Sequence, residues 1–163
     1  AGQSPSHLIA PAVHLSRFQV ARILAEKTGM PHTEKIEEMT AWVRQHLRQE
    51  FLQAPTGISG VNFAIAETGQ VVLVENEGNA RMVTTLPRLH LMFLTPEKIL
   101  PRWDDLWLFL TLLIRSATGQ RLSSYISLLP GHNEDSVKRV AILIDNGRSR
   151  LLDDPFFLSL IHI

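Results

Sequence analysis

The sequence predicts a layered domain of the α/β or α+β class, and three observations support this prediction. After an extended lead-in over residues 1–13, apolar residues recur every three or four positions in two segments up to residue 51, as they do in amphipathic helices. From residue 56 the pattern changes to the alternation of a strand and then to short runs that are apolar on both faces. A further apolar helix lies between these runs, and strands mixed with helices build layered folds.

The composition restricts the classes of function that are open to this chain. With 163 residues a single domain is expected, in which a helical segment, residues 1–55, packs on an α/β core, residues 56–163. The 16 basic and 16 acidic residues cancel, which argues against a nucleic-acid partner. The longest apolar run, residues 106–114, is far shorter than the roughly 20 residues of a membrane span.

The metal-binding residue types are also limited. The sequence has no cysteine, so neither a disulfide nor a cysteine-bound metal can form within it. Its 7 histidines contain no pair at the spacings HxH or HxxxH. No metal site is therefore predicted in this chain.

The first helix begins after Ser16, which can cap it with Gln19 as the partner in a capping box. Gly29 supplies the cap at the other end. The second helix is expected to begin at Thr33, to present one apolar face, and to end before Pro55.

Strand patterns follow. Residues 61–66 alternate between larger apolar and small or polar side chains, and Thr68-Gly69 suits a tight hairpin turn into the next run. Residues 71–74 and 89–94 are apolar on both faces, as in central strands. We expect the strands of this region to be neighbours in one mixed sheet.

The rest of the sequence adds one long helix and two strands. Thr95 is predicted to cap a helix with Pro96 at its first position. Residues 103–114 are apolar on nearly all sides, which predicts a helix sandwiched between other elements. Residues 123–129 and 140–144 are further strand candidates.

Polar loops follow several of these elements, and loops held between buried strands often carry binding groups. We expect three such loops to converge on one site, with Glu67, Asn79, Arg81 and Asn146 facing a common cleft. The candidate site residues are Glu67, Thr68, Gly69, Asn76, Glu77, Gly78, Asn79, Arg81, Thr84, Thr85, Ser116, Thr118, Gly119, Asp145, Asn146, Gly147 and Arg148.

Each candidate also has a purely structural interpretation. Glu67 follows an apolar strand and has the chemistry of a nucleophile, a base or a ligand anchor, but it also suits a turn that bonds the backbone. Arg81 has the geometry to clamp a carboxylate or phosphate, and Gly78 permits close approach of a ligand; a solvated hairpin loop is the alternative. The loops at 116–120 and 145–150 also read as a helix cap and an Asn-Gly turn. The position of His90 inside an apolar strand favours a role in the core rather than as a base.

Four phrases in order, GISGVNFAIAETG, VLVENEGNARMVTTLPRLH, RSATGQRLSSYISLL and ILIDNGRSRLL, resemble the LUD domain of the lactate-utilization iron–sulfur proteins. The resemblance extends over essentially residues 13–160. It implies a three-layer, Rossmann-like fold with a mixed sheet, similar to sugar-phosphate isomerases and CoA transferases.

The resemblance also implies a function. Members of this family take part in cytoplasmic oxidation of L-lactate to pyruvate by a multi-protein complex, so the implied partners are other lactate-utilization subunits and a small anionic substrate. A ferredoxin-like region with cysteine motifs for [4Fe–4S] clusters follows the domain in the full-length family members. The present chain lacks every cluster ligand and is expected to be inactive in lactate oxidation alone. Its apolar end, residues 156–163, is expected to continue as a helix into that region.

Two alternatives remain open from the sequence. One is an acyl- or phosphosugar-handling enzyme of the CoA-transferase or isomerase type, with Glu67 as nucleophile or base. The other is an interaction scaffold whose polar loops are structural.

Overall fold

The computed structural model describes residues 12–131, 137–147 and 149–150. The chain forms two compact units, residues 1–50 and 51–163. The division falls close to the predicted boundary at residue 55. That the two parts form a single domain stays a prediction.

The first unit contains helix α1, Arg17–Thr28, and most of helix α2, Ile36–Gln53. The predicted capping box is confirmed: the Ser16 hydroxyl accepts a hydrogen bond from the Gln19 N–H, and the Gln19 side chain accepts one from the Ser16 N–H. Gly29 ends α1 in the left-handed conformation (φ 69°), as predicted.

The second helix begins three residues later than predicted. Thr33 lies in the turn before α2, where its hydroxyl accepts a hydrogen bond from the Lys35 N–H at 3.2 Å and donates one to Glu38 at 2.6 Å. The indole N–H of Trp42 donates to the Thr28 hydroxyl at 3.0 Å and thereby joins the two helices. The buried residues of this unit are Ala21, Met30 and Met39.

The second unit contains seven strands and two helices among the described residues. The strands are β1 (Thr56–Gly60), β2 (Phe63–Ile65), β3 (Val71–Glu75), β4 (Leu89–Leu94), β5 (Ile99–Leu100), β6 (Tyr125–Leu129) and β7 (Lys138–Leu143). The helices are α3 (Asn79–Thr85) and α4 (Leu106–Thr118), and short 3₁₀ turns cover Pro96–Lys98 and Trp103–Asp105.

These strands form two sheets, which corrects the expectation of one mixed sheet between residues 61 and 94. A parallel sheet has the order β1-β4-β7, and a mixed sheet has the order β5-β2-β3-β6. The α/β class with helices and mixed sheets is confirmed. The separation arises because β4 pairs with β1 and β7, whereas β3 pairs with β2 and β6.

Two apolar clusters join the layers of this unit. Val71, Leu73 and Leu129 of the mixed sheet pack against Met92 and Leu94 of β4. On the other face of the mixed sheet, α4 packs on β2, β3 and β5. The residues of this second cluster are Ile65, Val72, Leu100, Leu106 and Leu110.

The helix predicted over residues 103–114 is present as α4 after the 3₁₀ turn Trp103–Asp105, but the prediction that it is sandwiched between other elements is wrong. Helix α4 buries Leu106, Leu110 and Ile114, which recur at spacings of four and so lie on one face. Its other faces are open, and Trp107 is 71% exposed. Apolar residues of α4 therefore lie on its exposed faces as well as on its buried face.

No helix in the described part of the chain combines the length and the apolar composition that a membrane span requires.

Candidate functional site

The buried carboxylate of Glu75, the last residue of β3, is the centre of the polar structure in this unit. It accepts hydrogen bonds from the N–H of Ala80 at 2.7 Å and of Arg81 at 2.9 Å. These are donors of the first turn of α3, which have no partner within the helix. Glu75 thus fixes the start of α3 against the end of β3. Glu75 is not among the candidate residues chosen from the sequence. The feature that could have identified it is its position at the end of an apolar strand, directly before Asn76.

Asn76 joins the end of β3 to two other elements. Its side-chain N–H donates to Gln120 Oε1 at 3.2 Å, and its Oδ1 accepts from the Ser124 N–H at 3.0 Å. Gln120 Oε1 also accepts from the Thr118 hydroxyl at 2.7 Å. The end of α4 and the chain entering β6 are therefore held at the same place.

A pocket of about 380 Å³ lies within this arrangement. That size is within the usual range for small-molecule sites. Amide, hydroxyl and carboxylate groups meet an apolar wall from β3 and α4. The lining residues are Asn62, Val74, Glu75, Asn76, Glu77, Asn79, Ala80, Leu113, Ile114, Ala117, Thr118, Gln120 and Ser123.

Arg81 lies on α3 next to this pocket in sequence but is not one of its lining residues. Its guanidinium stacks over the ring of Tyr125, with Cζ 5.1 Å from the ring centroid. Gly78 precedes α3 at φ 80°, and a side chain there would contact the same ring. The stacking holds the guanidinium near the start of β6 while leaving Arg81 exposed.

Four of the candidate residues line the pocket: Asn76, Glu77, Asn79 and Thr118. Of the four expected to share a cleft, Asn79 is the only one that lines it. The segment after β3, predicted as a loop, is instead the helix α3. Thr84 is buried within it, and both Thr84 and Thr85 donate their hydroxyls to the Arg81 carbonyl.

The end of α4 has the structural form that the sequence suggested for it. Gly119 ends the helix in the left-handed conformation at φ 71°, with its N–H donating to the Arg115 carbonyl. The Ser116 hydroxyl donates to the Leu113 carbonyl at 3.0 Å.

Glu67 caps a turn. The side chain is exposed, and its carboxylate accepts a hydrogen bond from the Trp103 N–H at 3.0 Å, at the start of the second 3₁₀ turn. Thr68 and Gly69 form the predicted hairpin turn between β2 and β3, with Gly69 at φ 69°. A Cβ on Gly131 would lie 2.5 Å from the Thr68 carbonyl oxygen, so the turn is packed closely. None of these residues lines the pocket.

The turn after β7 is stabilised by hydrogen bonds within the turn itself. Asp145 Oδ1 accepts from the N–H of Gly147 at 3.1 Å and of Ser149 at 3.3 Å. Asn146 is exposed, and these residues are not among those that line the pocket. Arg148 and the apolar run at residues 156–163 lie outside the described residues.

His90 belongs to the core of the parallel sheet. It is fully buried, and its Nε2 lies 2.8 Å from the Ser59 hydroxyl, while Nδ1 has no hydrogen-bond partner among the described residues. Burial, and secondly the charge of Arg139, lower the pKa of His90 below its usual value. A histidine enclosed in this way does not reach a ligand, in agreement with the core role predicted for it.

The residues present do not fit an iron–sulfur cluster. Such clusters are held by cysteine thiolates, and the sequence contains none. Within the described ranges, no group of three or more histidine, aspartate or glutamate side chains is arranged to hold a metal ion.

Comparison with known proteins connects this architecture to a family. The LUD domain profile matches residues 5–149. "Lactate utilization protein B" from Shouchella clausii is 41% identical over 161 residues, which are 96% of this chain and 34% of that protein. "Uncharacterized electron transport protein YkgF" from Escherichia coli is 44% identical over 157 residues, 93% of this chain and 33% of that protein.

The chain thus spans about a third of the length of these relatives. Among solved structures, a DUF162 family protein from Deinococcus radiodurans is 18% identical and aligns with a TM-score of 0.45. That alignment covers 59% of this chain and 57% of the other.

Proposed function

The chain belongs to the LUD domain family, as the four sequence phrases predicted, and from this premise we propose that it is the ligand-binding part of a longer cytoplasmic lactate-utilization protein. In this proposal the domain binds a small anionic substrate in the pocket beside Glu75 or contacts another subunit. Iron–sulfur clusters held elsewhere in the longer protein carry the electrons.

The pocket at the end of β3 is the observation that supports ligand binding. Two segments distant in sequence, the end of β3 and the connection between α4 and β6, meet there through the side chain of Asn76, which bonds Gln120 and the Ser124 backbone. Polar groups fixed in this way before a ligand arrives do not lose conformational freedom when it binds. The apolar wall beside them suits the carbon skeleton of a small organic acid.

The charges near the pocket favour an anion only if Arg81 takes part. Two carboxylates line the pocket: that of Glu75 is met by two backbone N–H groups of α3, whereas that of Glu77 is exposed and, among the described residues, accepts only the Asn76 N–H. Arg81 forms no ion pair with any described residue, and its planar guanidinium is kept exposed by the stacking on Tyr125. A guanidinium free in this way can donate two parallel hydrogen bonds to a carboxylate. In this proposal the side chain leaves Tyr125 and turns toward the pocket, which the neighbouring residue Ala80 lines, when a ligand binds.

The cofactor that accepts the electrons has to be bound outside these 163 residues. Oxidation of a 2-hydroxy acid needs an electron acceptor, which in proteins is a cofactor. This sequence has no thiolate ligand for a cluster and no glycine-rich dinucleotide motif. The name of the Escherichia coli relative supports electron transport in the longer proteins.

An acyl- or phosphosugar-handling enzyme with Glu67 as nucleophile receives no support from the geometry. The Glu67 carboxylate is exposed and already accepts the Trp103 N–H, which is a capping role. Titration with candidate ligands distinguishes this alternative from the interaction scaffold.

The proposal is tested by calorimetric titration of this chain with L-lactate, pyruvate, an acyl-CoA and a sugar phosphate. We expect lactate or pyruvate to bind and Arg81→Ala to weaken that binding by about 1–3 kcal/mol, as for a lost charge-assisted hydrogen bond. Arg88→Ala, which removes another exposed arginine of the same unit, serves as the control and should have no effect.

Binding of acyl-CoA or sugar phosphate alone would support the enzyme alternative. If none of the four compounds binds, the scaffold alternative is favoured. Equal affinities of the Arg81→Ala variant and the unmodified chain would remove Arg81 from the site.

A further inference from the structure

Among the described residues, strand β6 is an edge of the mixed sheet, and it lacks the charged residues and prolines that often protect such edges. In the order β5-β2-β3-β6 it pairs with β3, and no described strand lies on its other side. Edge strands expose unpaired N–H and C=O groups, which proteins commonly protect with lysines, prolines or bulges. The five residues of Tyr125–Leu129 include no charged residue and no proline.

The hydrogen bonds of β3 show which backbone groups of β6 are open. The Asn62 N–H donates to the Val72 carbonyl at 3.1 Å, and the Val74 N–H donates to Asn62 Oδ1 at 2.9 Å. The backbone groups of Val72 and Val74 therefore point toward β2. Because these directions alternate along a strand, the groups of Leu73 point toward β6.

The register extends this alternation to β6. Leu73 lies opposite Ser127, so the backbone groups of Ser127 point back toward β3. Those of the two neighbouring residues, Ile126 and Leu128, consequently point away from the sheet at its open edge.

This arrangement is complementary to itself. If a second copy of β6 approaches antiparallel with the two Ser127 residues opposite each other, Ile126 of each copy lies opposite Leu128 of the other. Such opposite residues with facing backbone groups exchange two hydrogen bonds in an antiparallel ladder. The open backbone groups of Ile126 and Leu128 in both copies then all have hydrogen-bond partners.

An apolar groove of about 320 Å³ lies above the same edge, between α4 and β6. Its lining residues are Trp103, Asp104, Leu106, Trp107, Leu110, Ile126 and Leu128. Trp107 is 71% exposed, Leu128 45% and Ile126 42%. A twofold axis perpendicular to the sheet would place both α4 helices on the same face. The two grooves would then meet, and each Trp107 would be covered.

The charge of this surface also suits a second copy of the chain. A twofold interface places each charge close to its own copy, so charges near the axis repel. Asp104 is the only charged residue among those that line the groove, and β6 has none. A strongly charged partner would meet only one charged side chain, Asp104, on this surface.

We propose that β6 and the groove beneath Trp107 form a twofold interface with a second copy of this chain. The two mixed sheets join edge to edge through Ile126 and Leu128. The proposal of this interface does not rest on the pocket beside Glu75 or on the ligand proposed for it.

The register gives a direct test by crosslinking, because the chain has no cysteine. Opposite residues whose backbone groups face away from each other have Cα atoms about 4.5 Å apart, a distance that a disulfide can span. We expect Ser127→Cys to form a disulfide-linked dimer on mild oxidation. The control is Ser116→Cys, an exposed position on α4 that does not line the groove and should remain uncrosslinked.

Sedimentation of the unmodified chain and of two lysine variants completes the test. We expect a dimer at about 100 μM, and Leu128→Lys to raise its dissociation constant at least tenfold. Leu112→Lys changes a residue of α4 that is 56% exposed and outside the groove, and should leave the dimer intact. Circular dichroism of each variant checks that the fold is kept.

A monomer at about 100 μM would overturn the proposal. Equal crosslinking at positions 116 and 127, or equal effects of the two lysine variants, would also overturn it, because association would then not use β6.

Discussion

Two glutamates show how burial decides the role of the same side chain. Glu67 was the residue that its sequence position singled out, yet it is exposed and caps a 3₁₀ turn through the Trp103 N–H. Glu75 is buried and holds the first turn of α3 against the end of β3. Both follow or end an apolar strand, so the strand pattern alone does not separate them. The difference comes from α3, which supplies two N–H donors to one carboxylate and none to the other.

His90 gives a prediction at the scale of a residue. Burial lowers its pKa in the folded chain, so near pH 6 the unfolded chain binds a proton that the folded chain does not. Stability contributed in this way is present above the usual pKa of about 6.5 and decreases as the pH falls toward the lowered value. The loss is at most about 1.4 kcal/mol per pH unit for one proton.

Urea denaturation at a series of pH values from 7.5 to 5 is the measurement. His90→Gln should flatten the dependence of unfolding free energy on pH below about 6.5. His46→Gln, which removes an imidazole at an exposed position of α2, is the control. Identical slopes for all three proteins would show that His90 does not titrate differently on folding.

At the scale of elements, sequence analysis missed β1, α3 and the two-residue strand β5, because the helix predicted after Thr95 is only the 3₁₀ turn Pro96–Lys98 that precedes β5. Strand β1 contains Gly57 and Gly60, and glycine is depleted in strands, so its pattern resembles a loop. Helix α3 has only seven residues, too few for a helical period to be recognised. Helix α3 packs against β1 at the point where Gly57 leaves room for it. This close packing accounts for the glycine in the strand.

Gly57 and Gly60 supply a matched pair of substitutions in β1. A Cβ on Gly57 would lie 2.3 Å from the Val83 carbonyl oxygen and 2.9 Å from Pro87 Cγ, so the backbone of α3 would have to move. We expect Gly57→Ala to destabilise the chain by about 1–3 kcal/mol or more, as overpacking does. A Cβ on Gly60 would meet no atom within 4 Å. Gly60→Ala should therefore change stability by no more than about 0.5 kcal/mol.

Urea denaturation midpoints of the two variants measure this difference. A Gly57→Ala variant as stable as Gly60→Ala would mean that α3 does not press on β1 as the structure indicates.

At the scale of the whole molecule, the relation of this chain to its relatives leads to a prediction about iron. The relatives are about three times as long, and this chain has no cysteine to bind a cluster. We expect the purified 163-residue chain to be colourless, to contain no iron and to reduce no dye in the presence of L-lactate. A longer protein that includes the expected ferredoxin-like region should be brown.

Iron analysis and visible absorption spectra of both proteins make the comparison. Stoichiometric iron in the short chain would contradict the assignment of electron transfer to a separate region. A colourless longer protein without iron would contradict the cluster itself.

The family and part of the local structure of this protein follow from its sequence alone. The Ser16 capping box, the turn at Gly69 and the cap at Gly119 depend on hydrogen bonds between residues a few positions apart, so their patterns are visible in the chain. The strands at Val71–Glu75 and Leu89–Leu94 carry strong apolar runs and were also recognised.

Only the tertiary structure decided which strands pair, which face of α4 is covered and which polar groups share a pocket. Whether β4 joins β3 or β1 depends on contacts between segments far apart in sequence, and an apolar run has no preference for either partner. The pocket likewise needs Asn76 and Gln120, 44 positions apart, to lie within hydrogen-bonding distance. Local patterns determine most of the longer elements, whereas the burial of Glu75 and the exposure of Trp107 follow from how the elements pack.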